Sequence, residues 1–198
     1  MPDEPRPYRM QRRAETQQET RLRITESAVA LHGTVGPSRT SISAVAAHAG
    51  VRRSTVYRHF PDEAALFDAC TAHWAAANPP PDLDAWSAIA NPDERLHVAL
   101  GEFYAFYQRT ESMLENLFRD ETTVQLVQER FAAFRGYVAA ATDTLLAGRN
   151  LRGAARRRTR AALGHAIAFS TWKSLVREEG LHDADAAALI RVLVAAAS

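Results

Sequence analysis

Apolar side chains in this chain recur every three or four residues over long stretches, with charged residues between them, and alternating apolar and polar runs are scarce. That period belongs to helices with one buried face. Glycine and proline fall in clusters, at 33–37, 50, 61, 78–81, 92, 148–153 and 180, and divide the chain into helical lengths with no repeat of fixed period. The pattern predicts an all-α protein.

The first helix is predicted over residues 16–33, with Ile24, Ala28 and Leu31 on its inner face, behind a frayed arm carrying Arg6, Arg9, Arg12 and Arg13. Two short helices follow, at 41–49 with Ile42, Val45 and Ala46 apolar and at 54–60, separated by a tight turn at Gly50 and Val51. Pro61, Asp62 and Glu63 open a longer helix striped by Leu66, Phe67, Cys70 and Trp74, because proline is tolerated in a first turn and acids complement the helix dipole there. The run from Asn78 to Pro81 cannot continue a helix. It divides the chain into an N-terminal domain, 1–78, and a helical C-terminal domain, 79–198.

In the second domain the periodicity predicts helices at 92–109 (Leu96, Leu100, Phe103, Tyr107), 111–119, 124–146 (Val127, Phe131, Phe134, Val138, Leu145), 154–179 and 183–197. The helix at 154–179 has Arg152, Arg156, Arg157, Arg158 and Arg160 at its start and Glu178 and Glu179 at its end, the wrong way round for its own dipole. A two-fold antiparallel crossing would bring one chain's arginines to the other's glutamates. The same region offers Leu163, Ile167, Leu175, Leu189, Val192 and Leu193, with small Ala166, Ser170 and Ser174, as a four-helix interface in a homodimer.

Composition narrows the function. With 198 residues, 46% of them hydrophobic, the chain can bury a core, and disorder is excluded as its general state. Its 24 basic and 23 acidic residues nearly cancel to +1, so attraction to phosphate must come from local clustering. A lone Cys70 rules out an internal disulfide and a cysteine zinc cage, and no apolar run approaches the roughly 20 residues of a membrane span. A cytoplasmic protein is expected. The seven histidines form no closely spaced ligand pair with a carboxylate, and no glycine-rich phosphate loop or nucleophile elbow is present, so neither metal, cofactor nor enzyme activity is expected.

The missing local field lies at 27–61, which contains no Asp or Glu but includes Arg39, Arg52, Arg53, Arg58, His32, His48 and His59. Within it, helix, glycine turn and helix form a pair whose second member can enter a major groove about 12 Å wide. Val51 and Val56 would plug the core, while Arg53, Ser54, Thr55, Tyr57 and His59 face outward. An arginine fork fits guanine O6 and N7, Thr55 a thymine methyl or a phosphate, and Tyr57 and His59 the phosphate backbone. Ser41 would cap its helix and reach a phosphate. The competing reading is a structural helical corner with solvated arginines.

The stretch TSISAVAAHAGVRRSTVYRHFPDEAALF, residues 40–67, resembles the DNA-binding signature of TetR/AcrR-type transcriptional repressors. The alanine-rich first helix, the Gly50-Val51 turn, the Thr55-Val-Tyr57-x-His59-Phe60 helix and Leu66 carry the resemblance, which covers roughly the first third of the chain. It implies a dimer on a palindromic DNA operator, with Ser41, Ser43, Arg53, Ser54, Thr55, Tyr57, Arg58 and His59 as contacts; Arg52 belongs to the same basic cluster. It also implies a cavity for a small-molecule effector among the C-terminal helices. Phe103, Tyr107, Phe118, Phe131, Phe134, Tyr137, Phe169 and Trp172 would supply walls suited to an apolar or aromatic compound, and Tyr104, Asn116 and His165 polar groups. Three positions depart from the family pattern: His32 and Pro37 stand where aromatics are usual, and Glu63 where a phosphate-facing lysine is common.

The expected function is therefore ligand-responsive repression, relieved when effector binding favours a conformation that no longer fits the operator. A small helical ligand-binding protein or enzyme with a vestigial helix-turn-helix is the alternative, and selective operator binding separates the two.

Overall fold

A computed structural model describes residues 6–197, with side chains from Met10 onward, and its regular elements are all helical. They are α1 (Arg6–Thr34), α2 (Ile42–His48), α3 (Arg53–His59), α4 (Glu63–Ala77), α5 (Leu83–Ser87), α6 (Pro92–Asp120), α7 (Gln125–Leu146), α8 (Gly153–Ala166), α9 (Phe169–Lys173) and α10 (Asp183–Ala196). A single 3-10 turn, Pro37–Arg39, precedes α2, and a π-helical turn, Ser174–Glu178, prolongs α9.

The chain separates into two units, one comprising the residues up to Ala77 together with Glu115–Gln128, the other Asn78–Leu114 together with the residues from Glu129 onward. Helix α6 therefore contributes residues to both.

In the first unit Ile24 and Ala28 of α1 pack on Ile42, Val45 and Ala46 of α2, Val56 and Phe60 at α3, and Leu66 and Cys70 of α4. The loop between α1 and α2 is held by the last turn of α6. Asn116 Nδ2 donates to the carbonyls of His32 (2.9 Å) and Gly33 (3.0 Å), Arg119 to the carbonyl of Val35 (3.0 Å), and Asp120 accepts the N–H of Ser38 (2.9 Å). These bonds satisfy backbone groups freed at the end of α1. Gly36 sits at φ +92° beneath them, where a Cβ would fall 2.0 Å from the Arg119 guanidinium.

The second unit is built around an aromatic interior with Trp86, Phe103, Tyr104, Phe106, Tyr107 and Trp172 fully buried. Arg95 is buried too, and its guanidinium donates to the carbonyls of Trp86, Ile89, Thr144 and Ala147, capping the ends of α5 and α7. That arrangement uses the arginine fork on orphan helix-end carbonyls.

Four elements differ from the sequence expectation. Helix α1 already runs through residues 10–16, so the arginine arm is helical rather than frayed; the side chains of Arg6 and Arg9 lie outside the described residues. The expected helices at 92–109 and 111–119 are one, since no Gly or Pro separates them and Thr110 Oγ1 donates back to the Phe106 carbonyl within the helix. Asp82 caps the short α5, which the sequence reading missed, through the Asp84 N–H, with Trp86 Nε1 donating to Glu102 at 2.8 Å.

The fourth difference matters most. The expected helix at 154–179 breaks at Ala168, which is extended at φ −74° and ψ 139°, and the hydroxyls of Tyr104 and Tyr107 donate to the carbonyls of Ala166 and Ile167 beside the break. Glu178 and Glu179 are thus not the end of the helix that carries the arginines. The premise of an antiparallel charge match along one straight helix is withdrawn.

Candidate nucleic-acid interface

Helices α2 and α3 are short, and local chemistry fixes the bend between them. Ser41 caps α2, its Oγ accepting from the Ala44 N–H at 3.1 Å. Gly50 turns the chain at φ +64°, a conformation that costs L side chains free energy and glycine little. Ile42, Val45, Ala46, Ala49 and Val56 then face inward, anchoring the pair on α1 and α4.

What remains outside is polar and basic. Ser41, Ser43, Arg52, Arg53, Ser54, Tyr57 and Arg58 are exposed, and Thr55 is half-buried. Arg53 Nη2 donates to the Tyr57 hydroxyl at 3.2 Å, with the guanidinium carbon 5.5 Å from the ring centre. This one-turn pair braces two long side chains on the face of α3. The bond to Tyr57 also holds the Arg53 pKa above its ordinary value, so this group stays cationic.

His59 differs from the expectation that it faces outward. It is buried, and Arg21 Nη1 of α1 donates to its carbonyl while the Arg21 guanidinium stacks 4.1 Å from the Phe60 ring centre. Burial first, then the positive charges of Arg58 and Arg21, push the His59 pKa down. The reason is geometric: a residue six positions into a helix of 3.6 residues per turn returns to the face of Val56, which points inward. Nothing in the sequence pattern singled out Arg21. Beyond it, Arg12, Arg13, Thr16, Gln17 and Thr20 of α1 line an open groove of about 550 Å³ with Arg58 and His59, which extends the basic surface along α1.

Expected sites elsewhere are placed as follows. In the second unit Phe103, Tyr107, Phe169 and Trp172 contact one another, with ring centres 5.4 to 5.9 Å apart in the pairs that Tyr107 makes with Phe169 and Trp172. Phe134 and Tyr137 join the same cluster through Phe103 and Phe106. Phe131 stacks on Phe134. Asn116, expected on the effector wall, instead belongs to the first unit and holds the α1 end; Phe118 is exposed, and so is His165, bonded to Thr171. Of the expected interface residues, Leu163 and Ile167 are fully buried within the protomer and unavailable to a second chain. Leu189, Val192 and Leu193 are exposed on α10, Ser170 is exposed, and Ser174 and Leu175 are half-buried.

Among the described residues no group of three or more His, Cys, Asp or Glu side chains could hold a metal ion, and no helix is long and apolar enough to cross a membrane.

An acid-free helix-turn-helix anchored on α1 and α4, followed by a larger helical unit, is an arrangement that supports a DNA-binding regulator. Residues 24–70 match the model for bacterial regulatory proteins of the tetR family, so this N-terminal module is similar to the DNA-binding part of those regulators. Proteins of that family are DNA-binding transcription factors and not enzymes. Solved structures with a similar fold span nearly the whole chain. A TetR-family transcriptional regulator from Streptomyces coelicolor is 19% identical with a TM-score of 0.62, covering 91% of this chain and 80% of that one. NalD of Pseudomonas aeruginosa, the secondary repressor of the MexAB-OprM multidrug efflux pump, is 22% identical with a TM-score of 0.61, covering 92% and 96%. A TetR transcription regulator from Haloarcula marismortui is 14% identical at 0.59, covering 91% and 96%. No curated protein matches the chain in sequence.

Proposed function

We propose that this protein is a ligand-responsive repressor that binds a palindromic operator as a homodimer and is released by a small apolar or aromatic effector. The observation that carries the reading is the face of α3. Arg52, Arg53, Ser54, Tyr57 and Arg58 are exposed together, on a helix whose opposite face is anchored in the core. With Ser41, Ser43 and Thr55 they are the DNA contacts, Arg53 reading a base edge and the others chiefly phosphates. His59 acts from beneath, fixing the end of α3 rather than touching DNA.

The dimer forms through α10, where Leu189, Val192 and Leu193 are 40%, 67% and 54% exposed, more apolar surface than a monomer gains by showing water. The effector enters the aromatic cluster of the second unit around Phe103, Tyr107, Phe134, Tyr137, Phe169 and Trp172. Its differential affinity for two conformations sets how far operator affinity falls. Helix α6 carries that change, since its residues count with both units and its end grips the loop before α2.

Selection of bound duplexes from a random DNA library at moderate salt, with Arg53→Ala in parallel, tests the reading. A palindromic motif with half-sites about one helical turn apart, lost by the variant, is expected. Enrichment no better than the variant's would overturn it.

A further inference from the structure

The first unit contains a partly enclosed cavity of about 130 Å³ under α2, whose lining includes Ser41 at the start of that helix. Its walls include His32 of α1, Ile42 and Val45 of α2, Leu66 and Phe67 of α4, and Leu126 of α7. Pro37 also lines it, so both positions at which the chain lacks a usual aromatic border the space. The void has about the volume of one benzene-sized molecule, and its lining adds Thr40, Ser41 and Glu63 to these apolar side chains, which suits a guest that is mostly apolar with one polar group.

One wall is polar in a defined way. His32 Nδ1 lies 3.4 Å from Cys70 Sγ, and that thiol donates to the Phe67 carbonyl at 3.2 Å. With the thiol's one hydrogen assigned to the Phe67 carbonyl, Sγ accepts from Nδ1–H and the neutral imidazole keeps its lone pair on Nε2. Burial keeps the ring neutral, with a pKa lowered to about 4 although Asp120 pulls the other way. Nε2 has no hydrogen-bond partner among the described residues, yet no buried polar side-chain atom is left unsatisfied, so Nε2 retains accessible surface. The Phe67 ring stands beside the imidazole, centres 5.3 Å apart and tilted 40°.

We propose that this cavity is a ligand site for a small phenol, the ring packed against Ile42, Val45, Leu66 and Phe67 and the hydroxyl donating to His32 Nε2. The site is separate from the aromatic cluster of the second unit, and it places an occupant directly behind α2.

The test is a titration of the methyl-labelled full chain with phenol and with toluene at neutral pH. Phenol is expected to shift the methyl resonances of Ile42, Val45 and Leu66 saturably, and toluene to do so about tenfold more weakly for want of one hydrogen bond. His32→Phe fills the cavity and removes the acceptor, and should abolish these shifts; Val45→Phe fills it from α2 and serves if the first variant does not fold. The proposal is overturned if phenol leaves those three methyls unmoved, if either folded variant binds phenol as the parent does, or if toluene binds as well as phenol.

Discussion

The carboxylate of Asp120 accepts the backbone N–H of Ser38 at 2.9 Å, tying the last residue of α6 to the loop in front of α2. Arg119 braces the same carboxylate at 2.8 Å. Burial alone would raise the Asp120 pKa, but the bonds from Arg119 and Ser38 together hold it below its ordinary value. The folded chain therefore binds fewer protons here than the unfolded one. This stabilisation is complete above the usual aspartate pKa of about 4 and disappears as pH falls below it. Asp120→Asn should cost about 1–3 kcal/mol at pH 7 and progressively less as pH is lowered below about 4, read from urea unfolding across that range.

His32 titrates in a different window. Its pKa, lowered by burial to about 4, lies below the unfolded value of 6.5, so the unfolded chain takes up the proton first. Stability from this group is full above pH 6.5 and is lost as pH falls towards 4. Melting curves of the parent should show that slope, and those of His32→Phe a shallower one, since His59, also lowered, still contributes.

Gly36 has no substitute at its position. With φ at +92° and a Cβ destined to meet both the Arg119 guanidinium and, at 2.7 Å, the Asp120 carboxylate, Gly36→Ala must break the clamp or strain the loop. A loss of about 1–3 kcal/mol is expected in thermal unfolding. Gly50→Ala meets only the backbone cost, because nothing lies within 4 Å of its Cβ, and should lose less.

On DNA, Arg53→Ala should weaken the cognate site by about 1–3 kcal/mol and relax base preference at one position of each half-site. Tyr57→Phe removes both a phosphate donor and the acceptor that braces Arg53 at 3.2 Å, so it should weaken all sequences while also blurring that preference. Fluorescence anisotropy on cognate and scrambled duplexes across a salt series distinguishes the two patterns.

For the dimer, the paired change Val192→Asp and Leu193→Asp should yield a folded protomer in sedimentation, because both side chains are exposed in the single chain. Leu163→Ala should instead destabilise the protomer itself by about 2–5 kcal/mol, since Leu163 is fully buried. An unchanged dimer in the first variant would move the interface off α10.

The sequence by itself determined what depends on near neighbours. Helical period, the Ser41 cap, the left-handed Gly50 turn and the acid-free run to Pro61 are local properties, and they were enough to read the all-α class, the helix-turn-helix and its basic face. Tertiary packing decided the rest. Ala168 leaves the helix because tyrosines some 60 residues earlier occupy the carbonyls beside it; no proline or glycine announces the break. Asn116 serves a loop 83 to 84 residues away rather than an effector. Leu163 and Val192 look alike as apolar helical residues, yet one is sealed and the other bare. The period of a helix says that one face is buried, and only the elements packed against it settle which face and against what.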